Sequence, residues 1–203
     1  EKQILTKLIA FSPLNIEGSK SKSGQVLKSF RDLNLPITLI DNQEILDKMS
    51  PNTNLDEFWK IANFGANECI NSIKSILESS NIDFRDLKNT LDYGGFCYSN
   101  SGTGTDFESA YQNFDSTMMI GEEQFKTAKG FLLNFKIGKS GMSLEQSNRI
   151  QSFVNSQADL KTNQENTDGE EFEITILISG IGTQTKIDEN YSQIIQAKAE
   201  SEQ

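Results

Sequence analysis

Apolar and polar positions in the first fifty residues predict two strands separated by a helix. Leu5 to Phe11 and Ile37 to Ile40 are short apolar runs that suit buried strands. Between them, apolar residues recur at helical spacing: Val26, Leu27, Phe30 and Leu33. A strand, helix, strand order is the unit of a parallel sheet, whose other strands would have to come from elsewhere.

The longest periodic pattern predicts a long buried helix. Its apolar residues follow mainly in steps of three and four: Leu55, Phe58, Trp59, Ala62, Ala66, Cys69, Ile70, Ile73, Ile76 and Leu77. Asn54 is placed to cap its first turn, with Glu57 three residues on. A shorter helix is predicted to begin at Asp83.

The second half predicts a small sheet flanked by helices. Phe96 to Tyr98 suits a strand, and residues 101–104 suit a surface turn before a helix. Phe131 to Ile137 alternates as a strand does, and a capping box at Ser143 precedes another helix. Phe172 to Ile178 alternates again, which predicts a final strand that pairs through a long hairpin with the segment around Leu160. The fold class is therefore α/β.

Composition and charge indicate which kinds of partner the chain can bind. Of 203 residues, 35% are apolar and 24% charged, which is typical of a folded soluble protein, and the net charge is -10. A strongly acidic chain repels phosphate backbones and anionic headgroups, so we expect no direct contact with nucleic acid or membrane. Because no apolar run approaches the roughly 20 residues that span a bilayer, the expected location is cytoplasmic.

The side chains present limit the kinds of catalysis that the chain could carry out. The chain has two cysteines and no histidine, which excludes a disulfide framework and zinc sites built on histidine. We predict no metal site made by the chain itself. Any catalysis would have to use carboxylates, amides and a bound cofactor or metal.

Two clusters carry candidate chemistry. Asn81, Asp83 and Asp86 have the spacing of an ordinary helix start, but an amide and two carboxylates on an exposed turn could also orient a water. Trp59 and Asn63 are four residues apart and share one side of the long helix. They suit either a core indole beside a solvated amide, or an aromatic face and an amide that bind a purine.

Read in order, several segments resemble the tubulin/FtsZ family of polymerising GTPases, from near the first residue to about Gly182. Residues 13–18, Pro-Leu-Asn-Ile-Glu-Gly, are similar to the family segment P-F-x-F-E-G. Residues 40–46 resemble I-P-N-x-x-L-L. Residues 81–86, Asn-Ile-Asp-Phe-Arg-Asp, are similar to the synergy loop N-x-D-F-x-D, and residues 172–181 resemble a strand that ends in T-G-I.

This resemblance implies a role for each candidate residue. Residues expected to face GTP or GDP in their own subunit are Glu17, Asn42, Trp59 and Asn63. Asn81, Asp83 and Asp86 would act on the nucleotide of the next subunit, where they position the attacking water. The resemblance also implies head-to-tail self-association and a role in cell division. The implied cofactor is a guanine nucleotide, bound together with Mg²⁺.

The resemblance also implies four parts: residues 1–53 end a Rossmann-like GTP-binding domain, 54–80 form the core helix, 81–182 form the activation domain, and 183–203 form a polar tail. The family's glycine-rich phosphate loop has no match in these residues, so the chain alone should be catalytically silent. The first two strands should then pair with a separate chain, with each other, or poorly. Two alternatives stay open: a non-catalytic filament-capping or regulatory domain, and a plasmid or phage tubulin-like DNA-segregation protein.

Overall fold

The computed structural model describes residues 6–14, 20–33, 35–118, 120–154 and 156–181. Within these ranges the strands are β1 (Leu8–Ser12), β2 (Ile37–Asp41), β3 (Phe96–Gly104), β4 (Gly130–Ile137), β5 (Asp159–Asn166) and β6 (Phe172–Ile181). The helices are α1 (Lys20–Asp32), α2 (Asn42–Lys48), α3 (Leu55–Glu78), α4 (Phe84–Leu91), α5 (Phe107–Ser116), α6 (Glu122–Thr127) and α7 (Leu144–Gln151). The strands form one sheet in the order β1-β2-β3-β6-β4-β5, which confirms the predicted α/β class.

The predicted strand, helix, strand unit is confirmed, but β1 is only partly buried and Phe11 is exposed. Leu5, the predicted start of the first strand, lies outside the described residues. β1 and β2 are parallel and paired from Leu8 with Ile37 to Ser12 with Asp41, and α1 connects them. The two strands therefore pair with each other, one of the three outcomes expected. β2 joins the rest of the sheet through a single register pair, Ile37 with Phe96.

The predicted hairpin between the last two strands is wrong. β6 lies between β3 and β4 and is antiparallel to both, whereas Leu160 of β5 pairs in parallel with Phe131 of β4. The reason is polarity. Almost every residue of β6 is buried, so it needs a neighbour on each edge, while the largely exposed, polar β5 suits the edge of the sheet.

The predicted turn at residues 101–104 is also wrong, because these residues are the end of β3. Gly102 is buried and pairs with Ile174 of β6. A Cβ atom at Gly102 would lie 2.3 Å from the backbone nitrogen of Phe114 in α5. Glycine is needed here because α5 lies directly on the strand.

The two faces of the sheet are packed differently. On one face, α5 and α7 close a core rich in aromatic rings: Phe107, Phe114, Phe125, Phe131, Phe135 and Phe172. Each of these fully buried rings contributes on the order of 1.5–3 kcal/mol relative to exposure. On the other face, α3 and α4 pack with Ile76, Leu87 and Leu91 against Leu132 and Leu177 of the sheet.

The long helix is confirmed, but it is only partly buried. The backbone N–H of Glu57 donates to Asn54 Oδ1 at 2.8 Å, which confirms the cap. The sheet covers a narrow stripe: Phe58, Ala62, Gly65, Cys69, Ser72, Ser75 and Ile76. Four residues predicted to be buried are instead exposed: Leu55, Trp59, Ile70 and Leu77. Helical periodicity identifies an apolar face, but a single sheet covers only one side of it.

A partly buried carboxylate, Glu173, links α3 to the sheet. Ser75 Oγ donates to Glu173 Oε1 at 2.5 Å, and Thr175 Oγ1 donates to the same oxygen at 2.9 Å. Lys136 Nζ lies 2.9 Å from Glu173 Oε2. Burial acts to raise the pKa of Glu173, but the hydrogen bonds from Ser75 and Lys136, the charge of Lys136 and the bond from Thr175 outweigh it and hold the pKa below its usual value.

We expect Glu173→Gln to destabilise the chain near neutral pH by roughly 1–3 kcal/mol, because it removes a charged acceptor of three hydrogen bonds. The folded pKa is lowered, so the stabilisation is present above the unfolded value of about 4.3 and is lost as pH falls through the folded pKa. Urea unfolding at several pH values should show the gap between wild type and variant closing in acid. Glu171→Gln, at an exposed position, controls for the lost charge; a gap independent of pH would contradict the assignment.

Candidate functional site

The predicted site residues fall into two groups at opposite ends of α3. Trp59 and Asn63 lie in the first turns of the helix, and Asn81, Asp83 and Asp86 follow its last residue. Residues 64–78 of α3 separate Asn63 from the end of the helix, which is roughly 22 Å at 1.5 Å per residue. The two groups therefore cannot bind the same small ligand together.

The segment after α3, residues 79–86, is held by its own side chains. The Ser79 N–H donates to the Ile76 carbonyl at 3.2 Å, and Ile82 is buried against the sheet. The Asp86 N–H donates to Asp83 Oδ1 at 2.9 Å, and the Asp83 N–H donates to Asp86 Oδ2 at 3.3 Å. This reciprocal capping box begins α4, so the helix start predicted at Asp83 is confirmed.

The three candidates in this segment differ in exposure. Asn81 and Asp83 are exposed, whereas Asp86 is partly buried and its Oδ1 lies 3.2 Å from Lys161 Nζ on β5. An exposed amide and carboxylate on a fixed turn can orient a water and accept its proton. The geometry therefore suits a general base that is presented outward from the chain.

The other group lies near the carboxyl ends of β1 and β2, the edge at which parallel α/β sheets bind ligands. Ser12 Oγ donates to Asp41 Oδ1 at 2.9 Å and accepts from the Asn42 N–H at 3.2 Å. Asn42 is only 4% exposed, and its Oδ1 has no hydrogen-bond partner among the described residues. A buried, unpaired carbonyl oxygen is an acceptor for a hydroxyl or N–H donor, and a nucleoside carries both.

Asn42 begins α2, and α2 packs against α3, which carries Trp59 and Asn63. Trp59 is 39% exposed and meets Phe58 edge to face, with ring centroids 4.9 Å apart. Asn63, one turn later, is exposed. A partly open indole and an open amide can contact a purine. Glu17 lies outside the described residues.

Sequence patterns alone missed the contribution of β5. Lys161 contacts Asp86, and Asn163 donates to Ser79 Oγ at 2.6 Å. Their alternate spacing on a polar strand was the available signal, but it does not identify which segment the strand faces.

The described residues contain no group of three or more cysteine, aspartate or glutamate side chains arranged to hold a metal ion. Among the helices that the structure describes, none is long and apolar enough to cross a membrane.

Solved structures with the same fold are tubulin-like proteins. An empty FtsZ dimer from M. jannaschii matches with a TM-score of 0.61 at 17% identity, over 89% of this chain and 55% of that chain. A GTPγS-form protofilament of TubZ from Bacillus thuringiensis serovar israelensis matches with a TM-score of 0.69 at 16% identity, over 98% and 58%. CetZ from Methanosaeta thermophila matches with a TM-score of 0.71 at 14% identity, over 97% and 59%.

Curated sequences point to the same family. The cell division protein FtsZ of Helicobacter pylori strain 26695 is 26% identical over 140 residues, which are 65% of this chain and 36% of that protein. FtsZ of Buchnera aphidicola is 23% identical over 201 residues, which are 92% and 52%. No protein-family model matches the chain. The chain is thus similar in sequence to FtsZ and has the fold of the C-terminal part of FtsZ, TubZ and CetZ. It spans about half the length of the curated relatives, or less.

The unpaired oxygen of Asn42 predicts an unusual response to mutation. Asn42→Ala removes an orphaned acceptor, so it should change the free energy of unfolding by less than about 1 kcal/mol. Asn100→Ala is the matched control, because Asn100 is equally buried but donates to the Phe114 carbonyl at 2.7 Å and accepts from Thr117 at 3.2 Å. The control should cost about 1–3 kcal/mol. Equal losses for both variants in urea unfolding would contradict a ligand-facing role for Asn42.

Proposed function

We propose that this chain is the C-terminal half of a cytoplasmic, polymerising tubulin/FtsZ-like GTPase that acts in cell division. In this proposal Asn81, Asp83 and Asp86 complete the hydrolytic site of the neighbouring subunit. The observation that supports it most strongly is the separation of the two candidate groups along α3, with roughly 22 Å of helix between Asn63 and its last residue. Since one nucleotide cannot reach both ends, a chain that uses both must serve two nucleotides.

The first nucleotide belongs to the subunit itself. Trp59 stacks on the guanine, Asn63 reads its edge, and the orphaned Asn42 oxygen accepts a bond from the base or ribose. Glu17 contributes from the segment after β1. When bound, GTP supplies the phosphoanhydride to be cleaved, and its Mg²⁺ neutralises phosphate charge.

The second nucleotide belongs to the neighbour. Exposed Asp83 accepts a proton from the attacking water while the Asn81 amide orients it. With no histidine in the chain, a carboxylate is the available base. A site shared between the two ends of identical subunits is a heterologous contact, which repeats into a filament.

These 203 residues carry no glycine-rich phosphate loop, so hydrolysis requires a nucleotide-binding half in addition to this chain. The exposed Asn81 and Asp83 also fit a second candidate function, a non-catalytic domain that caps or regulates filaments. That domain would offer residues 79–86 to a filament end and stop its growth.

The test combines this chain with a nucleotide-binding half and measures GTP hydrolysis. Asp83→Ala and Asp86→Ala should each lower turnover, and Asp83→Ala should lower it by roughly 100-fold or more, as expected for loss of a general base. Asp92→Ala is the matched control, because Asp92 is an exposed carboxylate at the far end of α4, and it should keep wild-type turnover.

Undiminished turnover in both variants would refute the assigned roles. If the wild-type assembly instead binds filament ends without hydrolysing GTP, the capping function is favoured.

A further inference from the structure

The edge strand β5 holds the segment 79–86 at both of its ends. Asn163 Nδ2 donates to Ser79 Oγ at 2.6 Å, at the point where α3 stops. Lys161 Nζ lies 3.2 Å from Asp86 Oδ1, at the point where α4 has begun. Lys161 and Asn163 are two residues apart on one strand, so their side chains share a face of the sheet about 6–7 Å from each other.

Asn163 is a rigid anchor. It is 4% exposed, and its amide nitrogen also donates to Asn134 Oδ1 at 2.7 Å. Asn134 is its register partner on β4, and it is fully buried. Both hydrogens of the Asn163 amide group are therefore used, one within the sheet and one at the end of α3.

Lys161 acts on orientation more than on stability. The ion pair is partly exposed, with 49% of the lysine side chain and 23% of the aspartate side chain accessible, and such pairs contribute little to folding. Asp86 already accepts the Asp83 N–H with its other oxygen. With both carboxylate oxygens engaged, the Asp86 side chain is held in one rotamer, while Asp83 stays exposed.

We propose that Lys161 and Asn163 are positioning residues for the site completed in the neighbouring subunit. Asn163 fixes where α3 ends, and Lys161 fixes Asp86, which in turn holds the turn that presents Asp83. Asp86 then contributes through this geometry, and Asp83 is the carboxylate that reaches the attacking water. This inference rests on the proposed function and assigns unequal tasks to its two carboxylates.

The first arm of the test uses the chain alone. Amide hydrogen exchange at residues 83–87 should be about threefold faster in Lys161→Met, the size expected for loss of a partly exposed ion pair. Lys161→Arg keeps the charge and should exchange like wild type. Lys139→Met, at an exposed position outside this segment, controls for the loss of a surface lysine.

The second arm measures GTP turnover after assembly with a nucleotide-binding half. Lys161→Met should lower kcat about tenfold at unchanged KM. A small displacement of Asp83 slows the hydrolysis step, but it does not weaken nucleotide binding. Lys161→Arg should restore turnover. Asp86→Asn should lower kcat to a similar degree. The double variant Lys161→Met with Asp86→Asn should be no slower than the slower of the two single variants, because both changes remove the same ion pair.

Two results would overturn the proposal: wild-type exchange rates in Lys161→Met, or a double variant whose loss equals the product of the two single losses. Failure of the proposed function has a different signature. In that case the wild-type assembly shows no turnover, and the exchange arm alone decides whether Lys161 holds the segment.

Discussion

The position of α3 on the sheet is the constraint on which the remaining structure depends. Its buried stripe packs on β3 and β6, and Ser75 donates a hydrogen bond to the partly buried Glu173 carboxylate, which also pairs with Lys136. Apolar packing alone would allow the helix to sit at several registers along the sheet. Directional hydrogen bonds to a partly buried charge favour one register, because in another register the carboxylate would lose the hydrogen bond from Ser75. The helix then fixes how far apart its two ends lie.

The two faces of the sheet differ in chemistry. The aromatic face under α5 is apolar and closely packed, and Gly102 leaves room there for the backbone of α5. The face under α3 has more side-chain hydrogen bonds. Both groups of candidate residues lie on this side, one on α3 and the other in the segment that follows it. Asn163 and Lys161 extend this polar face to the edge strand, where they hold the segment that carries Asp83.

Local features were predictable from the sequence, and non-local features were not. The cap at Asn54 and the capping box at Asp83 depend on residues three apart, so spacing was enough to identify them. The central position of β6 depends on its pairing with β3 and β4, which are distant from it in sequence. The residues of a single strand do not indicate which strands will be its neighbours. Periodicity wrongly placed Trp59 among the buried residues, because it shows that a helix has an apolar side but not how much of that side a neighbour covers. The resemblance to the family was what favoured a nucleotide-facing role for Trp59 over a core role, and that role stays a prediction.

The central claim is that the two ends of α3 serve different nucleotides, and subunit mixing tests it most directly. One subunit carries Asp83→Ala, and the other carries Trp59→Ala with Asn63→Ala; both contain this chain together with a nucleotide-binding half. Each alone should be nearly inactive. An equal mixture should regain about a quarter of wild-type turnover, since one heterologous contact in four pairs an intact nucleotide face with an intact Asp83. A mixture as inactive as its separate components would contradict the account.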